Sequence, residues 1–239
     1  DLDYIRISGA FSIGEFAFFD CRSLTEVTIG NSVTTIGEGA FDNCTSLKQV
    51  IFEETSSVTT IGQGAFFNCT SLTEITIPDS VTMIEFQAFQ NCFNLTEIVI
   101  PNSVTMIGVG AFDSCTSLTQ VTIGNSVTDI GYRAFYNSPN LIVINVDAGN
   151  TTYSSESGIL FNKDKTLLIL YPGGKTGTTY TIPNSVIMIG QEAFQNCSNL
   201  ETVTFQETSS VTEIGSYAFY NCTSLTEIII PDSVTTIGS

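Results

Sequence analysis

The sequence of 239 residues has no histidine and no tryptophan, and only seven lysines and arginines stand against 24 aspartates and glutamates. Without histidine, a serine–histidine–aspartate relay or a histidine-containing zinc site cannot be built. Nucleic acids and anionic membranes bind basic patches, so a net charge of −17 argues against both as partners. The sequence predicts a chain that is not an enzyme and holds no cofactor or metal.

Long apolar runs and a signal-peptide pattern are also lacking. No stretch of about 20 apolar residues, the length of a transmembrane helix, occurs in the sequence. Apolar residues nevertheless make up 42% of the chain, enough for a large buried core. We therefore expect contact with a membrane only through segments outside this chain.

What the sequence does contain is a repeat. One column of leucines recurs every 23 or 25 residues, with a single gap of 59: Leu24, Leu47, Leu72, Leu95, Leu118, Leu141, Leu200 and Leu225. The 25-residue spacings come from a two-residue insertion, at 54–57 and again at 207–210. A fixed period of this length is typical of a solenoid, in which stacked units bury one another.

Each repeat begins with the alternation of apolar and polar residues that is typical of a strand, and a turn and a return segment follow. In the unit that begins at Leu72, Ile75 and Ile77 point inward from a strand and Pro78 with Asp79 makes a turn. A second extended piece and a short helical turn carrying Ala, Phe and Cys complete the unit. The stacked phenylalanines predict a spine: Phe18, Phe41, Phe66, Phe89, Phe112, Phe135, Phe194 and Phe219.

The Leu-x-x-Ile-x-Ile strand followed by Ile-Gly-x-x-Ala-Phe-x-x-Cys resembles the BspA-like leucine-rich repeat family. The resemblance implies a β-rich, right-handed solenoid with one parallel sheet, short helical or 3₁₀ returns and one irregular island. It also implies a surface or secreted protein used for adhesion and protein binding. Two departures are small: Ser138 replaces the cysteine, and Glu85-Phe86 interrupts the Ile-Gly pair.

We expect a single solenoid over residues 1–239, with repeats at 1–146 and 180–239 and an island at 147–179. Because the chain starts and stops inside a repeat, it is expected to be a piece of a longer protein. The island is expected to form a hairpin and carries three lysines, Lys163, Lys165 and Lys175. It is either a protruding binding loop or an irregular turn kept for structural reasons, and the second reading is favoured.

Seven cysteines fall on one column beside the phenylalanine spine: Cys21, Cys44, Cys69, Cys92, Cys115, Cys197 and Cys222. Cα atoms about 5 Å apart would permit a disulfide between neighbouring turns. An odd number of cysteines and parallel Cβ directions favour free, buried thiols instead.

The strand residues that flank the inward isoleucines are expected to form an exposed sheet face. They give one row of Glu and Gln beside one row of Thr, Val and Ile: Glu26, Thr28, Gln49, Ile51, Glu74, Thr76, Glu97, Val99, Gln120, Thr122, Thr202, Thr204, Glu227 and Ile229. This face either binds an extended protein partner or consists only of good strand formers in solvent.

The predicted function is therefore an extracellular or cell-surface module for adhesion or protein binding, with an unidentified matrix or surface protein as partner. One alternative is an architectural spacer or filament segment that associates end to end. A minor alternative is ice binding by a threonine column: Thr34, Thr59, Thr82, Thr105, Thr128, Thr212 and Thr235. Among six glycosylation sequons, Asn150 in the island is the expected acceptor, and only in a eukaryotic host.

Overall fold

Main-chain hydrogen bonds between equivalent positions of successive repeats organise the structure. The computed structural model describes residues 2–239, which fall into an N-terminal unit, Asp1–Ser138, and a C-terminal unit, Pro139–Ser239. In the N-terminal unit, Phe41 N–H donates to Ala65 O at 2.8 Å, one repeat further on. Each unit is a β-solenoid, as the repeat predicts.

The N-terminal unit contains two sets of parallel strands. Its strands are β1 (Tyr4–Ile7), β2 (Ser12–Ile13), β3 (Glu26–Ile29), β4 (Thr35–Ile36), β5 (Gln49–Phe52), β6 (Thr60–Ile61), β7 (Glu74–Ile75), β8 (Met83–Ile84), β9 (Glu97–Ile100), β10 (Met106–Ile107), β11 (Gln120–Ile123) and β12 (Asp129–Ile130). The Leu-x-x-Ile-x-Ile strands pair in the orders β1-β3-β5-β7 and β9-β11. The two-residue strands pair in the order β2-β4-β6-β8-β10-β12.

The C-terminal unit combines parallel ladders with an antiparallel island. Its strands are β13 (Val143–Val146), β14 (Tyr153–Glu156), β15 (Ile159–Asn162), β16 (Leu167–Leu170), β17 (Thr179–Ile182), β18 (Met188–Ile189), β19 (Thr202–Phe205), β20 (Glu213–Ile214), β21 (Glu227–Ile228) and β22 (Thr236–Ile237). β17, β19 and β21 form one parallel ladder. β16 pairs in parallel with β18, and β20 and β22 follow.

Two details differ from the sequence-based expectation. The second extended piece also forms a parallel ladder, so each unit carries two such sheets and not one. The returns are turns, and no helix occurs anywhere in residues 2–239. A helix would direct each amide to the carbonyl four residues earlier, whereas Phe89 N–H donates to Ala111 O in the next repeat at 2.8 Å.

The inward columns form the core as predicted. Leu72, Ile75 and Val81 are buried, as are their counterparts in most other repeats, whereas Leu225, Ile228 and Val234 of the last repeat are partly buried. The phenylalanine rings stack: the centroids of Phe66 and Phe89 lie 5.2 Å apart with an interplanar angle of 8°. In the C-terminal unit Tyr171 occupies a spine position and stacks on Phe194 at 5.1 Å. The sequence pattern missed Tyr171, because Pro-Gly-Gly follows it where the repeat has x-x-Cys.

The island forms the expected hairpin and one strand more. β15 and β16 are antiparallel neighbours, which confirms the hairpin. The segment 147–158, which precedes the hairpin, contains β14, which pairs antiparallel with β15. The side-chain oxygen of Asn150 accepts the amides of Thr152 and Tyr153 at 2.9 and 2.8 Å, and so fixes the entry to β14.

The two departures from the repeat, Glu85 in place of glycine and Ser138 in place of cysteine, are accommodated without a change in the surrounding pairing. At Gly62, an added Cβ would lie 2.6 Å from Ile36 O of the preceding turn, which explains the Ile-Gly pair. Glu85 stands at that position one repeat later, where its amide still donates to Ile61 O at 3.0 Å and its carboxylate accepts the Gln63 amide at 3.1 Å. Ser138, in the cysteine column, is buried.

Each return contains two residues with left-handed backbone conformation. The first column, with φ between 53° and 62°, is Phe16, Gly39, Gly64, Gln87, Gly110, Arg133, Glu192 and Tyr217. The second is mostly asparagine, which tolerates this conformation, and its amides form a ladder: Asn91 Nδ2 donates to Asn68 Oδ1 at 2.7 Å. Such residues interrupt any helix, because left-handed backbone leaves the helical path.

We predict that Gln87→Gly stabilises the fold by roughly 0.5–1 kcal/mol. Glycine removes a left-handed penalty of about 1–2 kcal/mol and adds about 0.5–1 kcal/mol of chain entropy to the unfolded state. The reverse exchange one repeat later, Gly110→Gln, should lower stability by a similar amount, since its added Cβ meets only ordinary contacts. Urea unfolding midpoints measure both; a fall in the midpoint of Gln87→Gly would contradict the prediction.

Candidate binding surface

In each unit, the outward residues at and just after the Leu-x-x-Ile-x-Ile strands form a candidate surface, and the two surfaces are together called here the sheet face. Its members are Glu26, Thr28, Gln49, Ile51, Glu74, Thr76, Glu97, Val99, Gln120, Thr122, Thr202, Thr204, Glu227 and Ile229, and each is exposed or half-buried. The residues between them, such as Val27 and Ile98, are buried. The alternation follows from the two-residue period of a strand, which turns successive side chains to opposite faces.

Parallel pairing brings the members into register. Glu26, Gln49 and Glu74 stand opposite one another in the N-terminal unit. Glu97 pairs with Gln120 in the same column. Because strands lie about 4.8 Å apart and like charges directly opposite are destabilising, a glutamine between glutamates relieves repulsion. The result in the N-terminal unit is a row of three glutamates and two glutamines.

A second row supplies apolar area beside the acidic one. Val99 has 56% of its surface exposed and Ile229 has 74%, which are large fractions for aliphatic side chains. In the C-terminal unit, the hydroxyls of Thr181 and Thr204 lie 2.9 Å apart on the same row. The sheet face therefore offers carboxylates and methyl groups side by side.

The three island lysines contact acceptor groups within the C-terminal unit. Lys163 Nζ donates to the Asn150 carbonyl, and Lys165 Nζ lies 2.5 Å from Glu156 Oε2. Lys175 Nζ donates to Ser157 O at 2.6 Å, and partial burial lowers the pKa of its amine. These contacts lie within the island and favour a structural role for it.

Asn150 is not an accessible glycosylation site in this structure. The residue is completely buried, and its side-chain oxygen holds the two amides at the entry to β14. An acceptor asparagine must project from a surface loop. The expectation that Asn150 is the acceptor was wrong, because the sequence does not show that this polar side chain caps a turn.

The threonine column has a structural use. Thr82 Oγ1 donates to Thr59 O at 3.1 Å, and Thr105 Oγ1 donates to Thr82 O at 3.2 Å. A parallel column does the same, since Thr119 Oγ1 donates to Thr96 O at 3.0 Å. The hydroxyl hydrogens are thus used between turns, which favours a role in stacking over a role in ordering ice.

The cysteines are free thiols that donate to the spine. Cys44, Cys69, Cys92, Cys115 and Cys197 are buried, and Cys21 and Cys222 are half-buried. Cys92 Sγ lies 3.3 Å from Phe66 O of the preceding repeat, and Cys69 Sγ lies 3.2 Å from Phe41 O. Burial raises the pKa of the Cys44 thiol to about 12. Free thiols were the favoured expectation, and the structure agrees.

We predict that stability falls as pH rises above about 8.5, and that buried thiols cause part of the fall. Burial raises the pKa of Cys69, Cys92 and Cys115 well above the ordinary value. Unfolded thiols lose their protons near pH 8.5 while the folded ones keep them. The free energy of unfolding should therefore decrease by about 1.4 kcal/mol per pH unit for each such thiol.

Urea unfolding between pH 8 and 10 measures this slope. The triple variant Cys69→Ala, Cys92→Ala and Cys115→Ala should show a shallower slope, whereas Ser138→Ala, in the same column, should not. An unchanged slope in the triple variant would refute the assignment.

Neither a metal site nor a membrane span is found in the described chain. Within residues 2–239, no group of three or more cysteine, aspartate or glutamate side chains is arranged to hold a metal ion. The same residues contain no helix of the length and apolarity needed to cross a bilayer.

Two grooves beside the sheet face were not foreseen from the sequence. One has a volume of about 630 Å³ in the N-terminal unit and is lined by residues including Phe52, Glu53, Ile77 and Asp79. The other, of about 360 Å³ in the C-terminal unit, is lined by residues including Phe205, Glu207, Glu227 and Ile229. Each adjoins one of the two-residue insertions. The recurring Glu-Thr-Ser-Ser was the available signal.

The stacked parallel strands, the leucine columns and the turn returns define a leucine-rich repeat solenoid. The sequence pattern described as BspA type Leucine rich repeat region matches residues 2–89, 53–162 and 174–239, in six copies. The chain belongs to this family. The resemblance seen in the repeat is thus confirmed.

Solved structures agree with this membership. A leucine-rich repeat protein from Eubacterium ventriosum is 33% identical over 99% of this chain, with a TM-score of 0.68. A leucine rich cell surface protein from Faecalibacterium prausnitzii is 30% identical over 98% of this chain and 77% of its own length, with a TM-score of 0.67. The chain spans only 56% of the Eubacterium ventriosum protein.

A more distant structure shares the fold. The pneumococcal vaccine antigen PcpA is 23% identical over 98% of this chain and 62% of its own length, with a TM-score of 0.75. No curated protein matches the sequence.

Proposed function

We propose that this chain is a non-enzymatic protein-binding module of a secreted or cell-surface protein, and that it binds its partner on the sheet face. The observation that carries the proposal is the in-register row of glutamates and glutamines beside a row of threonine, valine and isoleucine, in which Val99 and Ile229 are strongly exposed. Solenoids commonly bind through such broad, repeated surfaces. Adhesion to a matrix or surface protein is the specific role we assign.

Charge supports a partner of opposite sign. The chain carries a net charge of −17, and the sheet face holds Glu26, Glu74, Glu97 and Glu227. Acidic rows attract basic partner surfaces and raise the rate of encounter. A positively charged or mixed surface of a partner protein therefore fits this face.

The relatives support the proposed location. The Faecalibacterium prausnitzii structure is described as a leucine rich cell surface protein, and it is 30% identical to this chain. Family membership over most of the chain fits the same setting. The alternative is a spacer without a ligand, and the binding experiment below decides between the two. Exposed aliphatic side chains on an ordered face favour a ligand.

We predict that the combined change of Glu26, Glu74, Glu97 and Glu227 to Lys weakens partner binding at least tenfold. The immobilised chain is tested against a panel of purified matrix proteins and surface-protein ectodomains, and affinities are measured by biolayer interferometry. Reversal of four charges should weaken a complementary partner at least tenfold, since like charges across an interface cost several kcal/mol.

A control of equal charge separates the surface from the net charge. Glu15, Glu38, Asp129 and Glu213, which lie outside the sheet face, are changed to Lys together; this variant should keep its partner. Equal loss in both variants would mean that only net charge matters. No partner over the whole panel would favour the spacer.

A further inference from the structure

Both grooves arise from the same local event. Between Phe52 and the next inward valine, Val58, the chain has five residues, where regular turns have three, and the same holds between Phe205 and Val211. β5 pairs with β3 over four positions but with β7 over only two. β19 likewise pairs with β17 over four positions and with β21 over two. The inserted residues thus end the ladder early and leave a gap beside the strand.

The gap exposes a strand edge and an apolar floor. After the pair Val50 and Ile75, the partner strand stops, so Ile51 and Phe52 border the groove. In the C-terminal groove Thr204 and Phe205 are the counterparts, and Ile229 of the following turn lines the same groove. An extended peptide binds such edges with its main chain and places alternate side chains into the adjoining pockets. Volumes of 630 and 360 Å³ lie within the range of small binding sites.

The rims of both grooves are acidic. Glu53 and Asp79 line the N-terminal groove, and Glu207 and Glu227 line the C-terminal one. Neither groove has a lysine or arginine among its lining residues in the described chain. The charge therefore selects for a basic ligand over an acidic one.

Glu53 already holds a guanidinium. Arg6 Nη2 lies 2.7 Å from Glu53 Oε1, and 61% of the Arg6 side chain is exposed. This contact shows that the rim accepts an arginine approaching over the sheet face. Because Arg6 is largely exposed, the pair is weak enough to be exchanged for an incoming arginine.

We propose that each groove binds an extended segment of a protein partner in which a basic residue alternates with apolar residues. The insertions, on this proposal, are specific contact points within the sheet face. The inference rests on the proposed function, since it gives that face its ligand chemistry. It goes further in assigning the partner an arginine- or lysine-bearing strand and in locating two separate sites.

The test uses a fluorescent hexapeptide of alternating valine and arginine, with blocked ends, and a matched peptide of alternating valine and glutamate. Fluorescence anisotropy should show two sites per chain for the arginine peptide and none for the glutamate peptide. Replacing residues 53–57 by Pro-Asp-Ser, the turn used at 78–80, should close one groove and leave one site. Replacing residues 206–210 as well should leave none.

Charge variants test the rim while keeping the groove open. Glu53→Gln with Asp79→Asn should weaken the N-terminal site about three- to fivefold, as expected for exposed ion pairs. Arg6→Ala should strengthen the same site, because it frees Glu53. Glu15→Gln with Glu38→Gln, away from both grooves, should change nothing. These variants remain informative if a shortened turn fails to fold.

Three results would overturn the groove assignment: equal binding of both peptides, no binding of the arginine peptide, or an unchanged number of sites after both closures. A partner that is lost by the sheet-face variant and kept by the closed variant would also overturn it, with the proposed function intact. A partner unaffected by the sheet-face variant would instead overturn the proposed function.

Discussion

Main-chain hydrogen bonding between successive turns is the constraint on which each unit depends. Amides at equivalent positions donate to carbonyls one repeat away, as from Thr82 to Thr59 at 2.8 Å and from Phe66 to Ala88 at 2.8 Å. This pairing fixes the register, and register then stacks identical side chains into columns. The stacked rings, the thiols donating to spine carbonyls and the threonine hydroxyls are consequences of that register. Local violations such as Glu85 are tolerated because the main-chain bond persists.

The same constraint explains why function falls to the outward columns. Inward positions must be apolar and of fixed size, since each covers its neighbours. Left-handed positions in the returns favour glycine and asparagine. Outward strand positions carry none of these demands, so their charge and apolarity can serve recognition. Where the chain inserts two residues, the ladder is interrupted without loss of the core: Val50 and Val203 remain buried. Such interruptions create grooves beside an otherwise flat surface.

Much of the fold and of the outward row could be predicted from one sequence, because the same type of residue recurs at the same position of successive repeats. The leucine, isoleucine and phenylalanine columns identified the core, and the outward row was placed residue by residue. The expected helical returns were wrong, because short turns with two left-handed residues have no distinct signature in hydrophobic spacing. Tyr171 was missed because the island removes the neighbouring landmarks. Asn150 looked like an exposed acceptor because a polar residue in a polar stretch gives no sign of burial.

The sequence by itself determined the period, the solenoid class, the inward columns and the acidic character of the face, since each depends on the order of side chains along the chain. Only the tertiary structure decided how polar groups are used between turns. It showed that threonine hydroxyls and cysteine thiols bond to carbonyls of the preceding repeat, and that island lysines are held by their own unit. It also showed that a two-residue insertion opens a groove. These features depend on contacts between residues that are distant in the sequence, or on main-chain pairing, and side-chain order does not encode them directly.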